Sequence, residues 1–165
     1  MIFVTVGTTH FAFDRLLKAV EELDTDEEIV AQCGSSTVRP RNATCVELMD
    51  YGEVAAHMER ARIVVSHAGV GSILTATLAG KRPLVVARRA RLGEAVDDHQ
   101  LELADALHEL GSVTHVRSLD ELAESVRHSD TTAFTLAADT SLSRAVAEIT
   151  QSALLGADHV CQSTR

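Results

Sequence analysis

The sequence predicts an α/β fold, a parallel sheet with helices packed on both faces. Three observations predict it. Residues 2–6, 28–33, 63–65 and 83–87 are short runs rich in Ile and Val with little polar alternation, as in strands covered on both faces. Segments with apolar residues at helical spacing lie between them, so strand and helix alternate along the chain. Two of the runs end in glycine turns, at Gly7 and at Gly69-Val70-Gly71, where a strand can turn sharply into a helix.

The first strand, residues 2–6, is followed by a helix with Phe13, Leu16, Val20 and Leu23 on one face. The second strand, 28–33, closes at Gly34, and residues 35–44 read as a loop before a short third strand at 45–48. Asp50 with Glu53 three residues on is a capping box for a helix carrying Val54, Met58 and Ala61. The strand at 63–65, the glycine turn, a helix from Ile73 and the strand at 83–87 come next. Asp97 or Asp98 opens a helix with Leu103, Leu107 and Leu110, which Gly111 ends. After a last strand at 113–116, Ser118 and Glu121 form a second capping box, for a helix holding Leu122 and Val126. Residues 128–139 read as a loop, and Leu142, Val146, Ile149 and Ala153 mark a final helix. The fold class is therefore Rossmann-like, one domain over residues 1–155 with a frayed tail at 156–165.

Composition narrows the partners. The net charge of −9 argues against nucleic acid, whose binding relies on clustered Lys and Arg. One local exception is Lys81, Arg82, Arg88, Arg89 and Arg91, which is either a solvated patch or positive charge flanking an anion site. Cys33, Cys45 and Cys161 lack the spacing of a zinc site or disulfide framework, and reduced thiols are expected. Asn42-Ala43-Thr44 fits a glycosylation acceptor, but Met1 leads straight into a strand without a signal peptide. No apolar run approaches the ~18 residues of a membrane span, so the chain is expected to be soluble and cytoplasmic.

Residues 61–100, ARIVVSHAGVGSILTATLAGKRPLVVARRARLGEAVDDHQ, organise the rest. A glycine turn between strand and helix lets a ligand approach the backbone, and the helix's first free N–H groups then favour an anion, above all a phosphate. Neither familiar phosphate motif fits. The dinucleotide fingerprint needs a third glycine where Leu74 stands, and a P-loop fails because Arg82 follows Gly80-Lys81. His67 is either a satisfied core histidine or a wall of the site. Asp97 and Gln100 are either mutual caps or ligand contacts.

The blocks IFVTVGTTHFAFDRL, SHAGVGSI and RRARLGEAVDDHQLELA, in this order, resemble glycosyltransferase family 28 in its C-terminal, sugar-nucleotide-binding domain. The resemblance runs from residue 2 to about residue 127 and is strongest to short, stand-alone members. It implies the donor-binding half of a GT-B glycosyltransferase, a UDP-sugar donor such as UDP-GlcNAc, and inverting transfer to a lipid-linked acceptor with no required metal or cofactor. It also implies a membrane-anchored partner subunit that binds the acceptor and holds the chain at the membrane, with a homodimer in isolation as a further expectation. On that resemblance Gly7, Thr8, Gly69, Val70, Gly71 and Ser72 hold the pyrophosphate, and His67 lines the site. Gln100 bonds sugar hydroxyls, Glu94, Asp97, Asp98 and His99 close the other wall, and Arg88 and Arg89 stabilise the leaving UDP. His10 is the candidate base. Many members carry a Glu for the ribose where this chain has Thr75, leaving Glu94 as the nearest substitute acid. A non-catalytic nucleotide-sugar-binding module is the alternative reading, and an oxidoreductase is disfavoured by the missing glycine.

Overall fold

The computed structural model describes residues 1–129. In chain order the elements are β1 (Ile2–Thr5), α1 (Asp14–Glu21), β2 (Ile29–Gln32), β3 (Thr44–Val46), α2 (Tyr51–Arg60), β4 (Ile63–His67), α3 (Val70–Leu78), β5 (Leu84–Val86), α4 (His99–Glu109), β6 (Thr114–His115) and α5 (Leu122–His128). Every strand pairing is parallel, in the order β3-β2-β1-β4-β5-β6. The sequence's alternation of strand and helix is thus realised as a doubly wound sheet, and the order reverses at the junction of β1 and β4.

Both faces are covered, which is why the strands lack polar alternation. On one face Ile2, Val4, Ile29, Ala31, Ile63, Val65, Leu84 and Val86 pack on α1 and α5 through Leu16, Val20, Leu122 and Val126. On the other, Phe3, Val30 and Val64 meet Met58 of α2 and Ala76 of α3, while Val85 meets Leu103 and Leu107 of α4. The Asp50 capping box forms as expected: Glu53 N–H donates to Asp50 Oδ1 at 2.8 Å, and Asp50 N–H donates to Glu53 Oε2 at 2.9 Å.

One local expectation is corrected. Ser118 and Glu121 do not build a capping box; Ser118 donates to Asp120 at 3.2 Å because a 3-10 turn over Leu119–Glu121 intervenes before α5. Asp98 stands at the N-cap position and opens α4 as expected, although its carboxylate accepts from Ala90 N–H at 2.8 Å rather than from the helix. Arg15 ties two parts of the chain together: its Nε and Nη2 each lie 2.9 Å from a Glu94 oxygen, and Nη2 also donates to Ala87 O. Asn42 donates to the carbonyls of Val20 and Leu23 and so ties down the end of α1. Cys33 is buried and Cys45 partly so. Cys161, the final helix and the tail lie outside the described residues.

Candidate functional site

A cleft of about 440 Å³ opens at the carboxyl ends of the strands, at the β1–β4 switch point. Its walls are Thr5, Gly7, Thr8, Gln32, Met49, Tyr51, Val54, His67, Gly69, Gly71, Ser72 and Thr75. None of these carries a fixed charge. An anion here meets the first turn of α3, whose N-terminal N–H groups have no partner within the helix, and the hydroxyls of Thr8 and Ser72.

His67 is the centre of this wall. It is 9% exposed, and its ring is held between two glycines. A methyl group added at Gly7 would sit 2.5 Å from Cε1 and 2.8 Å from Nε2; one added at Gly69 would overlap Nε2 and lie 2.9 Å from Cδ2. Gly7 also needs its freedom, with φ of +77°, whereas Gly69 has an ordinary extended backbone and is glycine for the ring's sake. Gly71 differs from both: an added methyl meets nothing within 4 Å and faces the open cleft.

Burial first, and then the nearby Arg88 charge, push the His67 pKa down from 6.5 to about 4. The imidazole is therefore neutral at pH 7, and Nδ1 has no hydrogen-bond partner among the described residues. Arg88 itself is 1% exposed. Its Nη1 donates to the carbonyls of Phe11, Ala12 and Glu94 at 3.0, 3.3 and 2.9 Å, and its Nη2 donates to Val6 O at 2.7 Å. The guanidinium also stacks on the Phe13 ring at 4.6 Å.

The structure gathers Gly7, Thr8, His67, Gly69, Gly71, Ser72 and Thr75 around one cleft. Thr75 turns its hydroxyl hydrogen back onto Gly71 O at 2.8 Å, so a lone pair is what it offers a ligand. Val70 is exposed where α3 begins. The remaining candidates are held elsewhere. Arg88 ties backbone together rather than facing the cleft. The Glu94 carboxylate is occupied by Arg15 and by Arg89 N–H at 3.0 Å and is not part of the cleft lining. Gln100 accepts from Arg88 N–H at 3.3 Å, behind the cleft. His99 sits at the start of α4 near Asp97 and Glu102, at 3.7 and 3.6 Å. Arg89 donates to Arg117 O, and exposed His10 packs on Phe11 outside the cleft lining. The basic cluster is also dispersed: Lys81 and Arg82 precede β5 at the opposite sheet edge, where Arg82 donates to Val113 O.

Five wall residues were not anticipated: Thr5, Gln32, Met49, Tyr51 and Val54. A signal for the first two exists in the strands, which read IFVT, IVAQ and IVVSH. Each apolar run ends in a polar residue. Thr5 is in register with Gln32 on one side and Ser66 on the other, two residues beyond the buried row Phe3, Val30 and Val64. A polar row so placed ends the core and floors the cleft.

The family model of the glycosyltransferase family 28 C-terminal domain matches residues 1–153. The chain belongs to this family. Among curated proteins, the UDP-N-acetylglucosamine transferase subunit ALG13 of Homo sapiens is 36% identical over 123 residues, covering 67% of this chain and 10% of that protein. The protein of the same name from Cryptococcus neoformans (strain JEC21) is 40% identical over 89 residues, or 53% of this chain and 42% of the relative. The chain thus matches about a tenth of the length of the human and mouse relatives. Among solved structures, the glycosyltransferase SnogD from Streptomyces nogalater superposes with a TM-score of 0.55 at 25% identity, over 91% of this chain and 38% of that one. The calicheamicin glycosyltransferase CalG4 also gives 0.55, at 20% identity, over 96% and 40%. The family 28 domain accordingly has the Rossmann-like fold of one part of a GT-B glycosyltransferase.

Proposed function

We propose that this family 28 chain is the donor-binding subunit of a glycosyltransferase, taking a UDP-sugar such as UDP-GlcNAc and transferring the sugar with inversion to a lipid-linked acceptor. The observation that carries the reading is the uncharged cleft at the switch point, where two glycine loops and the N-terminus of α3 converge on neutral His67. A diphosphate fits it: N–H groups and hydroxyls accept the charge as the glycosidic bond breaks, and no wall carboxylate repels it. The Arg88 charge behind His67 adds a favourable field without touching the ligand. Tyr51 and Met49 offer an apolar wall for the base, and Thr75 accepts from a ribose hydroxyl.

Among the described residues the cleft wall has no carboxylate to act as base, so in this reading the base and the acceptor site come from a membrane-anchored partner, and transfer without a cofactor is part of the same proposal. Exposed Leu48, Tyr51, Val70, Leu92 and Val96, all in segments that follow strand carboxyl ends, support a covered surface beside the cleft. The complex would act at the cytoplasmic face of a membrane, and the isolated chain would pair with itself through the same surface. The missing base equally favours a second reading, a nucleotide-sugar-binding module without activity.

Calorimetric titration with UDP, UDP-GlcNAc and NAD tests the first step, with Gly71→Asp as the control. UDP ligands are expected to bind the wild type and to bind the variant at least tenfold more weakly, because the new carboxylate stands at the anion site without disturbing the fold. Binding of NAD alone would overturn the reading. Transfer by the chain mixed with its partner separates the enzyme from the inactive module.

A further inference from the structure

The floor of the cleft contains a directed chain of hydrogen bonds. Gly7 N–H donates to Thr5 Oγ1 at 3.1 Å, and the Thr5 hydroxyl donates its hydrogen to Gln32 Oε1 at 2.7 Å. Thr5 and Gln32 are 1% and 2% exposed, and both line the cleft. With the amide oxygen fixed by Thr5, the Gln32 NH2 group lies on the other side of the amide, and among the described residues no acceptor takes its hydrogens. The Gln32 nitrogen is not among the fully buried unpaired atoms, so it reaches the cleft, where a ligand or water completes it.

We propose that Gln32 is a ligand-binding residue, donating to a proton-free oxygen of the bound nucleotide, and that Thr5 is the positioning residue that sets its direction. The inference rests on the donor-cleft reading and deepens it. Glutamine suits the place because it brings two donors without charge, and the Thr5 contact selects donors rather than the carbonyl for the ligand. The oxygen is either phosphoryl or a base carbonyl, which share the required lone pairs.

Titration with UDP, UMP and uridine at pH 7.5 tests it, using wild type, Gln32→Glu, Gln32→Met, Thr5→Val and Thr5→Ser, each checked by thermal unfolding. Gln32→Glu replaces donors by acceptors and is expected to weaken UDP binding about 10- to 100-fold, the worth of a hydrogen bond to a charged oxygen. Gln32→Met, which removes the donors without adding charge, should weaken UDP binding as well. Thr5→Val should weaken binding and Thr5→Ser should restore it. A loss confined to UDP assigns the oxygen to the phosphate, and an equal loss for uridine assigns it to the base; either supports the role of Gln32. Wild-type affinity for UDP in folded Gln32→Glu and Gln32→Met overturns the inference and leaves the donor cleft standing. A wild-type chain that binds no UDP overturns the donor-cleft reading and this inference with it.

Discussion

Gly69→Ala is expected to damage the protein through one contact. The backbone at Gly69 is extended, with φ of −85° and ψ of 131°, so alanine adds no dihedral strain there. What it adds is a methyl group overlapping Nε2 of His67, 2.9 Å from Cδ2 and 3.0 Å from Cε1. The ring cannot retreat, because Gly7 walls its other side and the side chain is buried. Overpacking of a rigid site costs about 1–3 kcal/mol, and the upper end applies where neither neighbour can yield. For a chain of this length that is a fall in melting temperature of roughly 6–12 °C. Gly71→Ala is the control: its methyl meets nothing, and replacing glycine within a helix is neutral or gains ~0.5–1 kcal/mol. Thermal unfolding by circular dichroism reads both. A double variant His67→Ala/Gly69→Ala should recover ~2 kcal/mol relative to additive losses, since the methyl then has room. Equal melting temperatures for Gly69→Ala and Gly71→Ala would refute the wedged-ring account.

Two further outcomes follow from the same neighbourhood. As pH falls, the unfolded chain protonates His67 at its ordinary 6.5 while the folded chain resists to about 4, so folding stability is full above pH 6.5 and is lost progressively down to pH 4. Between pH 7 and 5 the loss is about 2 kcal/mol relative to a His67→Asn variant, measured by urea unfolding at each pH; identical pH slopes would contradict the buried neutral imidazole. Arg88→Lys should cost roughly 3–5 kcal/mol, because one ammonium cannot replace a planar fork donating to Val6, Phe11, Ala12 and Glu94 carbonyls together. A loss below about 1 kcal/mol in chemical denaturation would rule out that tethering role.

The strands and the glycine turns were legible because both are local. A run such as IFVT buries both faces wherever it lies in a parallel sheet, while Gly7 answers to its own positive φ and Gly69 to a ring two residues back. Arg88 misled because most of its partners are remote: Val6, Phe11 and Ala12 lie 82, 77 and 76 positions away in the chain. Charge near a phosphate-type turn suggests a ligand contact, and only the fold shows that backbone carbonyls have already claimed it. Thr5 and Gln32 escaped for the opposite reason. Each is an unremarked strand terminus until the register sets them side by side. Ser118 and Glu121 have the residues of a capping box, yet the 3-10 turn that follows Ser118 puts α5 one turn too late.

The junction of β1 with β4 also bears on how the chain reaches its native state. Ile2 to Thr5 can pair early with the nearby β2, but their other partners are Ile63 to Ser66, whose approach must close a long intervening loop. Such non-local parallel pairing is slow to nucleate. The wedge of His67 between Gly7 and Gly69 spans that seam, so the cleft is complete only when the two halves of the sheet have docked. On the proposed donor-cleft reading, a nucleotide bound there would fasten that seam and shift the equilibrium toward the finished sheet by mass action. Competence to bind would then report that assembly has finished.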